Sequence, residues 1–279
     1  MTPKAASLVE IQIDRERGEL RTLLLPPVRP RRDAEHRLPG DPVQRRYWSG
    51  QPWQLGSAAY WEQLVAESAP PETYRLGESL EEEVGACLLG GFGMPFALAA
   101  AAFDRLRAEG VFVDPPASTA AEIEALLREP LPVGSTQRRY RFPRQRAQRL
   151  ATAMHQLRGV PADLNDVELR DWLTGIPGIG PKTASWVVRN HRGSNDVAII
   201  DIHLVRAGMA AGVFAPTWRV ANDYRVFEAA FLGWADHARV QAALLDACIW
   251  GTLARIGDRA RDLFGVPTLA STPAPVWPL

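Results

Sequence analysis

Lys182 is one of only two lysines in a chain that carries 30 arginines, and it ends the string Leu173-Thr-Gly-Ile-Pro-Gly-Ile-Gly-Pro-Lys182. Arginine keeps its proton at any accessible pH, whereas a lysine ammonium can be desolvated, deprotonated and turned on carbon as a nucleophile. A lysine retained here points to covalent chemistry; the plainer alternative is a phosphate contact, which arginine makes at least as well. Lys4, the other lysine, lies in the N-terminal tail. Asp201 follows 19 residues after Lys182, in Asn195-Asp-Val-Ala-Ile-Ile-Asp201-Ile-His203. A carboxylate just ahead of a helix is by default an N-cap, worth about 1 kcal/mol. Close to Lys182 it would also stabilise positive charge developing at a reacting carbon. His203, in the first turn of the same helix, is either a phosphate contact or an ordinary surface histidine.

The elements that must position these groups are legible around them. Gly178 and Gly180 flank Ile179, and with Pro177 they describe a turn too tight for side chains, which lets backbone N–H groups approach an anion. Pro181 suits the first position of a helix, where no N–H donor is needed. The helix expected over 182–190 points its positive dipole end at whatever the turn holds. A preceding helix over 164–173 completes a helix, hairpin, helix unit built to grip one phosphate group. Six arginines fall between Arg138 and Arg149 with no acid among them. Arg138, Arg139 and Arg141 are candidates for a phosphate footprint, with a solvated face as the alternative. The formal net charge of zero argues against DNA binding by bulk electrostatics and for modest, salt-sensitive binding by one basic face.

The hairpin lysine, the aspartate after it and the following hydrophobic-His pair resemble the helix-hairpin-helix DNA glycosylase superfamily, in particular its 8-oxoguanine DNA glycosylase branch. The resemblance runs over 80–263 and weakens toward both ends. It implies a mainly α, two-lobed fold with the active site between the lobes, to which the sequence adds a small N-terminal β-hairpin. It implies that Lys182 attacks the sugar C1′ of a flipped nucleotide, displaces the base and forms a Schiff base, with β-elimination nicking the strand. It also implies that the carbonyls of Thr174, Ile176 and Ile179 hold a monovalent cation, Na+ or K+, against the DNA phosphate, no other cofactor being required. The expected partner is double-stranded DNA containing a damaged base, met by a monomer.

Two departures from the family pattern bear on specificity. Cys87-Leu-Leu-Gly-Gly-Phe-Gly-Met94 stands where the 8-oxoguanine enzymes carry an asparagine-rich turn that fills the gap left by the flipped base. Phe92 or Met94 would serve instead as an apolar wedge that unstacks DNA without reading the orphaned base. Trp186, one turn after Lys182, replaces a small residue on the base pocket and offers a stacking surface. Asp246 and Trp250, spaced i and i+4, share a helix face and resemble the family's polar base-reader and stacking aromatic; Trp250 could equally be core. An acid in so apolar a run is costly without a partner. A carboxylate that only accepts hydrogen bonds suits the N1 and N2 donors of guanine, so an oxidised purine is the expected target. A different damaged base, or DNA binding without chemistry, stays open.

Chain-level features narrow the class. With 279 residues and 46% hydrophobic content the chain can bury a large core. Cys87 and Cys248 cannot supply a four-cysteine iron–sulfur cluster, and both sit in apolar surroundings that suit buried free thiols of a reducing cytoplasm, at the nucleoid. No apolar run has the length of a membrane span. Strands are expected over 7–13 and 19–25, an irregular loop over 26–52 pinned by Trp48, Trp53, Tyr60 and Trp61, and helices over 81–89, 95–109, 119–128, 143–157, 164–173, 182–190, 202–211, 220–232 and 240–256. The expected organisation is an N-terminal extension (1–60), a first helical lobe (61–174), a second lobe with the hairpin and the Lys/Asp pair (175–265) and a mobile tail (266–279).

Overall fold

The computed structural model describes residues 8–14, 19–25, 35–37, 46–91, 93–113 and 118–256. The expected tail and Phe92 lie outside the described residues. Strands β1 (Leu8–Asp14) and β2 (Glu19–Leu25) pair antiparallel, with Leu8 opposite Leu25. Within 26–52, where no regular element was expected, β3 (Glu35–Arg37) pairs with β4 (Arg46–Trp48). The rest of the described chain is mainly helical: α1 (Ala58–Ala66), α2 (Leu80–Leu89), α3 (Phe96–Ala108) and α4 (Ala120–Arg128), then α5 (Pro143–Leu157), α6 (Asp166–Leu173), α7 (Pro181–Arg192), α8 (Ile202–Ala210), α9 (Val220–Ala238) and α10 (Ala242–Ile256). A short antiparallel ribbon, β5 (Leu131–Val133) and β6 (Thr136–Arg138), separates α4 from α5.

Local chemistry sets most helix starts. Thr119 and Asn165 close capping boxes with Glu122 and Glu168, satisfying two backbone donors reciprocally at the heads of α4 and α6. Pro143 and Pro181 occupy the first positions of α5 and α7, and α7 ends on Gly193 at φ 65°, a left-handed cap. Helix α1 and the β5/β6 ribbon were not expected from the sequence pattern, and α9 runs six residues past its expected end. Three-residue strands carry too little alternation to register as a pattern. Inside α9 Asp223 departs from helical angles, and its Oδ2 accepts from the Arg219 backbone N–H at 2.7 Å.

Two buried clusters form the lobes. The first gathers α2 through α7 around Leu88, Leu106, Leu127, Leu150, Val187 and their neighbours. The second gathers α1, α8, α9 and α10 around Trp61, Phe214, Phe227, Phe231 and Trp234. The boundary falls between Val197 and Ala198, not at 174/175, because the apolar face of α7 buries against α2 and α6. Residues 61–66, expected in the first lobe, also change sides: Trp61 is fully buried in the second cluster, where Glu62 accepts from Trp234 Nε1 at 2.9 Å. Trp53, expected to pin this region, is exposed.

A buried polar network joins the lobes. Glu228 of α9 pairs with Arg170 of α6 and accepts from the Ala198 N–H at 3.1 Å and from Ser185 Oγ at 3.3 Å. Tyr224 Oη donates to the Ala198 carbonyl at 2.8 Å. Removing one member of such a buried pair leaves an uncompensated charge and costs about 3–5 kcal/mol. The network therefore fixes the segment 197–201, which carries the second lobe's acid, against the helix that carries the lysine.

Candidate functional site

The hairpin between α6 and α7 is built by inward and outward alternation. Ile176 and Ile179 bury into the first lobe, and the Ile179 N–H donates to the Ile176 carbonyl at 3.0 Å. Gly178, exposed between them, sits at φ 90°, and a Cβ there would lie 2.5 Å from Arg149 Cδ, so backbone angle and the overlying arginine both demand glycine. Gly180 is the N-cap of α7 and supplies no side-chain cap, which leaves the first N–H groups of that helix for an anion. Lys182 follows Pro181, half-buried, in the first turn. A carbonyl has two acceptor sites, so Ile176, with one taken by the turn, still fits a cation-ligand role beside Thr174 and Ile179.

Asp201 caps α8, as its position required. Its Oδ1 alone accepts both cap donors, from His203 N at 2.8 Å and Leu204 N at 2.9 Å, which leaves Oδ2 outside the cap. His203 is half-buried with its pKa lowered, mainly by desolvation and against the pull of Asp201. Its Nδ1 is buried without a hydrogen-bond partner, and its ring meets Trp250 edge-on, centroids 6.5 Å apart. Trp250 is 47% exposed, which sets aside the core alternative.

Asp246, four residues earlier on α10, has a side chain only 7% exposed. Its partner is Arg189 of α7, with Nη2 3.4 Å from Oδ2. Burial pushes the carboxyl up to about 7; Arg189 pulls it down, Asp201 pushes it further up and Lys182 lowers it. Lys182 and Asp201, from the heads of α7 and α8, thus both act on the charge of Asp246 on α10. Trp186 lies on the same α7 face as Lys182 and is half-buried. A Cβ at Gly90 would meet its ring at 3.1 Å, and it packs against the first lobe's core.

The turn after α2 corrects the wedge expectation in part. Met94 is 9% exposed and belongs to the first core, so it is not free to enter a base stack. The turn is instead braced from the arginine segment: Tyr140 Oη donates to the Leu89 carbonyl at 2.6 Å, Arg146 Nη2 to Gly90 at 3.2 Å and Arg141 Nη1 to Gly93 at 2.5 Å. Arg138 and Arg139 are exposed on and after β6. Sequence reasoning counted Arg149 in the arginine stripe without its place over Gly178, and missed Arg189. The i, i+3 spacing of Arg146 and Arg149, and the two-turn spacing of Lys182 and Arg189, were the available signals.

A family model described as 8-oxoguanine DNA glycosylase matches residues 81–240. No curated protein sequence matches the chain. Among solved structures, the 8-oxoguanine DNA glycosylase of Thermotoga maritima is 23% identical, covers 72% of this chain and 89% of its own, and superposes with a TM-score of 0.50. The 8-oxoguanine glycosylase/lyase of Methanocaldococcus jannaschii, solved with a 15mer DNA containing 8-oxoguanine, is 20% identical over 71% and 89% of the two chains, with a TM-score of 0.52. A trapped endonuclease III–DNA covalent intermediate is 18% identical over 69% and 81%, with a TM-score of 0.50. At these identities the three share the fold.

Proposed function

The chain belongs to the 8-oxoguanine DNA glycosylase family, and from that premise we propose that it excises an oxidised purine from double-stranded DNA through an imine on Lys182. The observation that supports it most is at Asp201: Oδ1 satisfies the helix cap, and Asp201 and Lys182 both act on the charge of the same buried Asp246, so the acid and the amine serve one site. The hairpin N–H groups and the head of α7 hold a backbone phosphate. Thr174, Ile176 and Ile179 would hold a monovalent cation there, whose charge offsets that of the phosphate.

With the nucleotide flipped, the Lys182 Nζ lone pair bonds to C1′ as the glycosidic bond breaks. The bonding pair leaves with the base, which takes up a proton, and Asp201 stabilises the positive charge that builds on the sugar. Ring opening gives the imine; loss of a C2′ proton then expels the 3′ phosphate. Asp246 accepts from the N1 and N2 donors of the flipped purine, and Trp250 supplies the stacking face.

Borohydride trapping on lesion-bearing duplexes tests this reading. An 8-oxoguanine duplex is expected to give a covalent band that Lys182→Gln abolishes while DNA binding persists. An undiminished band in the variant overturns the lysine assignment, and preferred removal of uracil or an alkylated adenine overturns the substrate.

A further inference from the structure

Arg189 lies two turns beyond Lys182 along one face of α7, with a side chain 13% exposed. Its guanidinium carbon stands 4.8 Å from the centroid of the Tyr74 ring, a cation–π distance. Its Nε is buried with no hydrogen-bond partner. Toward Asp246 the nearest approach is 3.4 Å, longer than the 2.7–2.9 Å or so of a charge-assisted hydrogen bond. The guanidinium is thus seated on Tyr74 and does not close a fork on the carboxylate. Asp246 feels the positive charge yet keeps acceptor capacity for a base edge.

Arg189 takes no part in the chemistry described above, and the group assigned to DNA that it approaches is Asp246. We propose that it is a positioning residue for specificity: seated on Tyr74, its charge favours the ionised form of Asp246 that accepts from guanine N–H groups and so sets the pH range over which the pocket reads an oxidised purine. This rests on the assignment of Asp246 as base reader. The other groups facing Asp246 do not replace it. Lys182, also on α7, acts on Asp246 in the same direction, but its amine is committed to the sugar. Asp201, from the head of α8, opposes ionisation of Asp246. Tyr74, from the segment before α2, and Cys248, on α10 itself, interact with each other and offer no positive charge. Glu83, on α2, draws on the same guanidinium but is held by Asn190 Nδ2 at 2.9 Å and by the Leu76 and Gly77 N–H groups. Without Arg189, burial and Asp201 act on Asp246 against Lys182 alone. A protonated Asp246 turns one acceptor into a donor and mispairs with guanine N1–H.

The test uses the full-length protein. Carboxyl-13C NMR, with Asp246→Asn identifying the resonance, follows the Asp246 titration in wild type, Arg189→Gln, Arg189→Lys and Tyr74→Leu. Single-turnover excision from an 8-oxoguanine duplex is followed over the same pH range. Arg189→Gln is expected to raise the Asp246 midpoint by about one pH unit, a tenfold change in proton affinity, and to move the rising limb of excision with it. Arg189→Lys should recover at least half of the shift, and Tyr74→Leu, which unseats the guanidinium, should give a smaller shift of the same sign. A midpoint that stays in place in Arg189→Gln overturns the role of Arg189, whatever the enzyme excises. A shifted midpoint with no excision of oxidised purine by wild type overturns the substrate reading and leaves the charge coupling standing.

Discussion

Asp246→Asn removes from the site a buried carboxyl with an unusual linkage to folding. Its folded pKa is about 7 against a reference of 3.8, so the protonated form favours the fold. The stabilisation is complete below the unfolded value and disappears as pH rises through the folded one. At 1.36 kcal/mol per unit, the change between pH 5 and pH 8 amounts to about 2.5 kcal/mol. For a chain of this size that corresponds to roughly 5–10 °C in Tm. Thermal unfolding of wild type and Asp246→Asn at the two pH values is the assay. Titration of His203, Glu62 and Glu83 occurs in both proteins and cancels in the difference. Whatever the variant loses by leaving Arg189 unpaired shifts its Tm at both pH values, whereas the wild-type loss on going from pH 5 to pH 8 should shrink by the stated amount. An identical pH dependence in the two proteins would refute the reasoning, because Asp246 would then ionise in the fold as readily as in the unfolded chain.

Three further outcomes are expected. Asp201→Asn keeps a competent N-cap but should slow base excision about tenfold or more, a barrier increase of at least 1.4 kcal/mol or so; single-turnover kinetics at saturating enzyme report it, and a normal rate reduces Asp201 to a cap. Replacing Arg138, Arg139 and Arg141 together should weaken binding to any duplex and flatten log K against log salt by up to about one unit for each phosphate no longer neutralised, so an unchanged slope removes this segment from the DNA face. Gly178→Ala combines a left-handed backbone with a close approach to Arg149 and should lower stability by about 1–3 kcal/mol; the double variant with Arg149→Ala should recover the steric part and leave the backbone part, and full recovery would mean that the φ value is not a constraint.

Features that depend on neighbours along the chain were legible before any fold was known. The tight glycine turn around Gly178, the proline at the head of α7 and the capping position of Asp201 follow from backbone sterics and unsatisfied N–H groups within a few residues. The i, i+4 relation of Asp246 and Trp250 belongs to the same class, since helical spacing alone puts them on one face. Which way that face points is another matter. Trp250 turns out exposed and Asp246 buried on Arg189, because α10 packs against α8 and α1. Met94 looked like a wedge in the sequence, as an apolar residue in a glycine turn does. Packing of the turn against α5 withdraws it into the core, and Arg141 and Arg146 hold the turn there. Arg149 over Gly178, Arg189 over Tyr74 and the crossing of α1 into the second lobe were decided by tertiary structure alone. Each joins residues far apart in sequence, a relation that periodicity and capping chemistry do not encode.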